Sequence, residues 1–208
     1  TDGYHQKIQA LIRIMRFHAL VLCLLLDGCS MLPPSAEEQP RPARDSIATF
    51  AIDGRIAIHQ GERNYVSGIS WRHAMEHDEM QLTTPLGQGI AELVRDGSGA
   101  RLTLADRRKI SAADLEGLAE QAFGITLPLS ALPRWLVADI PAGAQQITRD
   151  AAGRPQQLHV DGWRIDYLDY ESAQASALPI LIKLHREAAG ASEQIDIRLK
   201  IDEWTLPD

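Results

Sequence analysis

The chain has 208 residues, of which 45% are hydrophobic and 24% are charged, and its formal net charge is −7. This composition is that of a folded domain and excludes a disordered chain. The acidic balance argues against a nucleic-acid partner, because phosphate contacts need a basic surface. The length predicts one globular domain once a targeting segment is removed.

The first 28 residues have the pattern of a secretory signal peptide. Arg13 and Arg16 precede an apolar run at 19–26. That run is too short to cross a bilayer, since a spanning helix needs about 20 apolar residues. A signal that begins at Met15 would be compact and complete by itself. In that case the true start is Met15, and residues 1–14 result from a misjudged start. We predict that residues 1–28 are removed and carry no fold information.

Cys29 closes this segment in the tetrapeptide LDGC, which resembles the bacterial lipobox. A buried structural cysteine is the alternative. The position of Cys29 after an apolar run and before a loose tether favours lipidation instead, although Asp27 departs from the usual small or apolar residue. We predict an acylated Cys29, a lipidated tether at 29–46, and no intramolecular disulfide, because Cys23 leaves with the signal.

The body of the chain, 47–208, is predicted to be one domain made mainly of strands. Apolar residues alternate with polar ones, and turn signals such as VDGW at 160–163 separate the alternating runs. This period of two and the close spacing predict an antiparallel meander of many strands. The alternating residues are Phe50, Ile52, Ile56, Ile58, Tyr65, Ile69, Trp71, Met80, Leu82, Leu102, Leu104, Leu158, Val160, Trp163, Ile165, Tyr167, Ile180, Ile182, Leu184, Ile195, Ile197, Leu199 and Ile201.

A helical insert interrupts the strands. Ser111 followed by Asp114 resembles a capping box, and Leu115 and Leu118 recur at helical spacing. Gly124 stands where a C-terminal cap is expected. These signals predict a helix of about a dozen residues, the common length in globular proteins.

A second short helix is predicted at 129–137, with Pro133 in its first turn. Two or three short helices cannot fill the apolar face of a wide curved sheet completely, so a leftover apolar cavity is expected. Leu, Ile and Val dominate the residues that would line it, which suits acyl chains better than sugars or nucleotides. The fold class is therefore mostly β with a helical lid, of the α+β type.

His73, Glu76 and His77 formally match H-x-x-E-H, a zinc-binding pattern that requires a helix. They lie between two alternating runs, where a hairpin turn is expected, so a solvated hairpin tip is favoured over a metalloenzyme. No P-loop, nucleophile elbow or paired-cysteine motif occurs. The sequence predicts no catalytic residue, no metal and no cofactor, and the protein is not expected to be an enzyme.

The stretch TTPLGQG at 83–89 places Leu86 near the apex of a turn. Turns usually carry small or polar residues, because their backbone groups reach water. A core residue folded back under the turn is one interpretation of Leu86, because most leucines are buried. A leucine held outward by Pro85 and Gly87 to meet an apolar partner is the other.

Several segments together resemble the LolB family of outer-membrane lipoproteins. They are the LDGC cysteine, FAIDGRIAI, Trp71, TTPLGQGIAEL, LPLSALPRWLVADIP, GWRIDY and LPILIKL with a terminal W-x-L, in that order from the lipobox to Leu206. The resemblance implies an incomplete β-barrel of about eleven antiparallel strands covered by helices, with an apolar cavity, as in LolA and LolB. It also implies that the leucine at position 86 protrudes and is needed to put cargo into the membrane.

The function that the resemblance implies is lipoprotein transfer. Such a protein accepts lipoproteins from a LolA-like periplasmic carrier, holds their acyl chains in the cavity and inserts them into the inner leaflet of the outer membrane. The expected place is the periplasmic face of the outer membrane, through an N-terminal lipid anchor, as a monomer without nucleic acid. A lipid-anchored binding protein for another apolar ligand, without transfer activity, is the alternative.

The predicted site has three parts. They are the lipidation site Cys29, the membrane-insertion loop Pro85, Leu86 and Gly87, and the apolar residues that would line the cavity. For the tryptophans among these, core packing is the more frequent role of a buried ring, and in a cavity protein the two roles can coincide. The candidate lining residues are Ile52, Ile56, Ile69, Trp71, Leu82, Leu118, Trp135, Trp163, Ile165, Ile182 and Ile197.

Overall fold

The computed structural model describes residues 41–124, 127–188 and 194–207, which lie in one compact unit, Pro40–Asp208. The predicted signal peptide and Cys29 lie outside the described residues. A short 3₁₀ helix, Arg44–Ser46, precedes the strands, and the α-helices are α1 (Leu115–Phe123) and α2 (Leu132–Leu136). The strands are β1 (Phe50–Gln60), β2 (Arg63–Ala74), β3 (His77–Thr83), β4 (Gly89–Asp96), β5 (Gly99–Leu104), β6 (Lys109–Ala112), β7 (Gln145–Arg149), β8 (Pro155–Val160), β9 (Trp163–Tyr170), β10 (Pro179–Arg186) and β11 (Ile195–Thr205).

All eleven strands belong to one antiparallel sheet, in the order β6-β5-β4-β3-β2-β1-β11-β10-β9-β8-β7. Strands β1 to β6 form one meander and β7 to β11 form another, and the pairing of β1 with β11 joins the two. The outer strands are β6 and β7, and within the described residues no ladder joins them, so the sheet stays open. The predicted mostly-β fold, a large unclosed antiparallel sheet with a helical lid, is confirmed.

The alternating apolar residues of neighbouring strands meet on one face of the sheet. In register, Ile52 lies opposite Trp71 and Ile58 lies opposite Ile197. Cross-strand pairs of this kind are the unit of sheet stabilisation, and here they build continuous apolar rows. One row consists of Ile52, Trp71, Met80, Leu93 and Leu102, and another consists of Ile58, Ile197, Leu184, Ile165 and Leu158.

Helix α1 covers the β5–β6 side of this apolar face. Its Leu115 and Leu118 are buried, and Gly124 takes the left-handed conformation that ends the helix, as predicted. The N-terminal cap differs from the expectation. Asp114 itself is the cap and accepts from the N–H of Gly117 at 2.7 Å, whereas Ser111 lies in β6. The capping-box prediction was wrong because strand pairing extends up to Ala112 and leaves no room for an earlier helix start.

Helix α2 is shorter than predicted but carries the same apolar stripe. Pro133 lies in its first turn, and Trp135 and Leu136 are buried. The hydroxyl of Tyr167, on β9, donates to the carbonyl oxygen of Trp135 at 2.8 Å and ties the helix to the other half of the sheet. No helix within the described residues is long and apolar enough to cross a bilayer.

Three strands, β4, β6 and β7, were not predicted as alternating runs. All five residues of β7 are exposed, so this edge strand has no apolar face that a periodicity could reveal. Strand β6 has only four residues, which is too short for a clear period. Strand β4 alternates only over Ala91 and Leu93, because Gly89 and Ile90 lie at a register shift beside the turn.

Candidate functional site

The strand connections lie at two opposite ends of the sheet. One end, called the Leu86 end here, carries the connections β1–β2, β3–β4, β5–β6, β8–β9 and β10–β11. The opposite end, called the Phe50 end, is where β1 begins and where β2–β3, β4–β5, β7–β8 and β9–β10 connect. The predicted insertion loop and the N-terminal start of the fold therefore lie at different ends of the molecule.

The β3–β4 connection is a three-residue hairpin loop. The carbonyl oxygen of Thr84 accepts from the N–H of Gly87 at 2.9 Å, and the N–H of Thr84 donates to the carbonyl oxygen of Gln88 at 2.8 Å. Gly87 has φ +81°, so Pro85, Leu86 and Gly87 form a type I turn followed by a left-handed residue. Pro85 fits the first corner because its ring already fixes φ, and Gly87 fits the left-handed position because it has no Cβ.

The side chain of Leu86 points into solvent. It is 90% exposed, the highest value among the large hydrophobic residues described. Leu86 is therefore not a core residue folded back under the turn. Met75, in the β2–β3 turn at the Phe50 end, is 75% exposed and gives a comparable apolar side chain at the other end of the sheet.

The structure brings all eleven candidate lining residues into one apolar cluster. Nine of them are buried, and Ile56 and Leu82 are half-buried against the same core. Two pockets, of about 250 Å³ and about 230 Å³, lie at the Leu86 end, with Leu82 in the lining of the first and Ile197 in that of the second. The four tryptophans are each buried, so their rings fill the interior.

The Phe50 end is held together by a buried carboxylate, Asp78. Its side chain is 1% exposed and accepts a hydrogen bond from Trp71 Nε1 at 2.9 Å. His73 Nδ1 lies 2.6 Å from the same oxygen, and Arg95 Nε donates to the second oxygen at 2.5 Å. Burial favours the neutral form of Asp78, but the hydrogen bonds from His73, Arg95 and Trp71 outweigh it and lower the pKa of this carboxyl.

The H-x-x-E-H segment is part of this same end and has the predicted hairpin structure. His73 lies in β2, one residue before its end, beside Asp78, Glu76 lies in the turn, and His77 begins β3. The two histidines are therefore not on one face of a helix, as a zinc site of this pattern requires. Within the described ranges no group of three or more His, Cys, Asp or Glu side chains is arranged to hold a metal.

The segment that leads into β1 is bound to the β9–β10 connection at the Phe50 end. Arg41 makes two hydrogen bonds to the carboxylate of Glu171, the longer of them at 3.1 Å. Arg44 donates to the carbonyl oxygens of Ala175 and Ala177 at 2.9 and 2.8 Å. The part of the predicted tether that the structure describes, 41–46, is thus bound to the body.

The family model described as "Outer membrane lipoprotein LolB" matches residues 48–204. The chain belongs to the LolB family. An "Outer-membrane lipoprotein LolB" from Azoarcus sp. (strain BH72) is 36% identical over 194 residues, which are 92% of this chain and 96% of the relative. A protein of the same name from Dechloromonas aromatica (strain RCB) is 32% identical over 195 residues, 91% of this chain and 97% of the relative. The resemblance read from the sequence motifs is confirmed.

A solved structure with a similar fold is that of a DUF1329 family protein from Desulfovibrio piger ATCC 29098. Its TM-score is 0.51 at 8% sequence identity, and the match covers 78% of this chain and 87% of that chain. At this identity the likeness concerns the fold alone. The open antiparallel sheet of this LolB-family chain is thus also found in a protein of quite different sequence.

Sequence reasoning missed two features of the site. Asp78 looks like an ordinary polar residue of a strand, and its role depends on Arg95, a partner 17 residues away in the chain. The second feature is the basic β5–β6 turn, whose ADRRK sequence at 105–109 is visible but whose place beside Leu86 depends on strand order. In a LolB-family chain the conspicuous PLG motif therefore marks one part of a larger end surface.

Proposed function

We propose that this protein is an outer-membrane-anchored lipoprotein that accepts lipoproteins from a LolA-like periplasmic carrier and inserts them into the inner leaflet of the outer membrane. Membership of the LolB family and the names of its relatives support this function. The observation that carries the transfer step is the exposed Leu86, held on a tight hairpin loop. The protein has the role of a receptor and insertase, with no covalent chemistry assigned to it.

The energy available from Leu86 fits transient docking. A leucine side chain moved from water into an acyl environment contributes roughly 1.5 to 3 kcal/mol. That is enough to orient a protein against lipid but too little to hold it there, since stable anchoring takes acyl chains at about 0.8 kcal/mol per buried methylene. The proposal therefore assigns attachment to the acylated Cys29 and docking to Leu86.

The predicted tether is long enough for the acylated Cys29 and Leu86 to reach the same membrane. An extended chain from Cys29 to Arg41 reaches at most about 40 Å, at roughly 3.3 to 3.6 Å per residue. Strand β1 has 11 residues and is about 36 Å long. A tether bound at the Phe50 end can therefore span the length of the sheet, so that the anchor and Leu86 meet the same membrane.

The apolar face of the sheet is proposed to hold the acyl chains of the cargo. Side chains fill most of this interior, and pockets of about 250 and 230 Å³ lie at the Leu86 end. Acyl chains longer than these pockets would have to displace residues that now pack there. Helix α1 is the natural element to move, because it packs on the side formed by β5 and β6, at the open edge of the sheet.

The test is a transfer assay with a lipoprotein-loaded carrier, this protein on one set of vesicles, and the cargo measured in those vesicles afterwards. Leu86→Glu is expected to lower cargo insertion at least about tenfold, because it removes the apolar contact and adds a charge. Cargo binding and the unfolding temperature should stay at the wild-type values, since Leu86 packs against no core residue.

Met75→Glu is the matched control, because it makes the same kind of change at another highly exposed turn, at the Phe50 end. It should transfer cargo at the wild-type rate. If wild-type protein takes cargo from the carrier but never passes it to lipid, the protein is a binding protein for apolar ligands without transfer activity. If cargo never leaves the carrier, the proposed function is wrong.

A further inference from the structure

The β5–β6 turn has the same loop geometry as the Leu86 turn. The carbonyl oxygen of Leu104 accepts from the N–H of Arg107 at 2.8 Å, and the N–H of Leu104 donates to the carbonyl oxygen of Arg108 at 2.9 Å. Arg107 has φ +69°, so it occupies the left-handed third position that Gly87 occupies in the Leu86 turn. Two hairpin loops of one design thus project from the same end of the sheet.

The two loops are neighbours. Strand β4, which leaves the Leu86 turn, pairs with β5, which leads into the second loop. The N–H of Ala105 donates to the carbonyl oxygen of Ile90 at 2.8 Å and joins them directly. The pocket of about 250 Å³ is lined by the parts of β3, β4 and β5 next to the two loops, with Thr83 and Ala105 at its border, and Glu92 is its acidic residue.

Arg107 is an unfavourable residue for its backbone position. A left-handed conformation brings the Cβ of an L-residue close to its own carbonyl group, so glycine is preferred there, and the Leu86 turn has glycine. Residues that keep a disfavoured conformation are concentrated at functional sites. The Arg107 side chain is therefore better explained by an external partner than by the stability of the turn.

The charges of this loop contrast with the rest of the chain. Between 106 and 109 three side chains are cationic and one is anionic, in a protein of net charge −7. Arg108 Nε lies 2.5 Å from a carboxylate oxygen of Asp106, which neutralises one cation. Within the described residues the exposed side chains of Arg107 and Lys109 make no hydrogen bond or ion pair, so both are available to a partner.

We propose that Arg107 and Lys109 bind the phosphate groups of anionic phospholipids while Leu86 enters the acyl boundary beside them. This inference rests on the proposed function and adds the class of lipid that the Leu86 end recognises. A guanidinium matches phosphate oxygens with two parallel hydrogen bonds, and an ammonium adds a compact charge. A phospholipid surface has anionic headgroups above an apolar layer. It can therefore contact the two cations and the apolar Leu86 side chain at the same time.

The expected size of the effect follows from the number of cations. Each Lys or Arg at an anionic membrane surface strengthens binding about fivefold, so the two together contribute about 25-fold. The contribution should fall as salt is raised, because exposed charges are screened over about 8 to 10 Å at physiological salt. The Leu86 contribution should not depend on salt.

The experiment uses the acylated protein held by its own anchor on vesicles, so that attachment is the same for every variant. An environment-sensitive fluorophore at Gln88→Cys, an exposed position of the Leu86 turn, reports insertion of the turn. With vesicles of phosphatidylcholine and phosphatidylglycerol, the pair Arg107→Gly and Lys109→Gln should lower the insertion equilibrium about 25-fold. With phosphatidylcholine alone, the variant and the parent should insert equally.

Arg107→Gly should leave the unfolding temperature at or above the parent value, which separates a lipid contact from a structural role. Arg101→Gln is the matched control, because Arg101 is an exposed cation on β5, the strand that leads into the loop, but lies further from the loop. Equal insertion of parent and variant on anionic vesicles would overturn the inference, as would an equal loss with Arg101→Gln.

A variant that inserts normally but fails to take cargo from the carrier would assign these cations to the carrier instead. Loss of transfer in Leu86→Glu with no effect of the basic pair would leave the proposed function standing without this inference.

Discussion

The two ends of the sheet differ in which kind of side chain is buried: a charged residue is buried at the Phe50 end, and an apolar residue is exposed at the Leu86 end. At the Phe50 end a carboxylate, Asp78, is buried among Trp71, His73 and Arg95, and its charge is used entirely inside the protein. At the Leu86 end the most exposed apolar residue, Leu86, faces solvent, and its apolar surface has no partner within the described residues. The buried carboxylate stabilises the Phe50 end, and the proposed function assigns the contact with lipid to the Leu86 end.

Aromatic packing reinforces the Phe50 end. Phe50 contacts Trp71 and Trp204 edge to face, with ring centroids 5.6 and 5.3 Å apart. The indole N–H of Trp204 donates to the carbonyl oxygen of Pro179 at 2.8 Å, so the ring is packed and its polar atom is satisfied. These contacts stabilise the Phe50 end together with the buried Asp78.

The largest effect is expected from Asp78→Ala. Removing Asp78 leaves Arg95, whose side chain is 25% exposed, and the buried indole N–H of Trp71 without their acceptor, which costs about 3 kcal/mol of the free energy of unfolding. Urea unfolding would measure it. Asp202→Ala is the control, because Asp202 pairs with Arg55 and Lys200 at the surface, where an ion pair contributes under about 1 kcal/mol. Equal losses for the two variants would show that Asp78 does not stabilise the Phe50 end through burial.

Acid should weaken the Phe50 end through the same carboxylate. Because the pKa of Asp78 is lowered in the folded state, the unfolded chain binds more protons as pH falls. The stabilisation is complete well above the unfolded pKa of about 3.9 and is lost as pH drops from there through the folded pKa. The free energy of unfolding of wild type should therefore fall more steeply below about pH 4 than that of Asp78→Ala. Parallel curves for the two proteins would contradict this assignment.

Much of this architecture could be predicted from local sequence patterns. Alternation of apolar and polar residues predicted the strands that have one buried face, such as those of Ile52 and Trp71. Gly124 predicted the end of α1. The Leu86 turn was recognisable because proline and glycine constrain the backbone directly and locally. The edge strand β7 was missed because all its side chains are exposed, which removes the periodic signal.

The remaining features depend on contacts between residues distant in the chain. Neither Asp78 nor Arg107 is unusual in its own segment. Asp78 gains its role when β4 brings Arg95 alongside, and Arg107 gains its place beside Leu86 when β4 pairs with β5. Sequence periodicity indicates which face of a strand is buried but does not indicate which turns become neighbours.

The smallest expected change in the free energy of unfolding concerns the two loops of the Leu86 end. They share one geometry but have different residues at the left-handed position. Gly87→Ala should cost about 1 kcal/mol of the free energy of unfolding, because a Cβ at φ +81° is strained although no atom beyond the two adjoining residues lies within 4 Å of it. Arg107→Gly should have the opposite sign, since it removes the same strain at φ +69°. Thermal unfolding of the two variants measures both changes. A loss of stability in Arg107→Gly would mean that the arginine side chain supports its own loop, and the strain would then no longer indicate an external ligand.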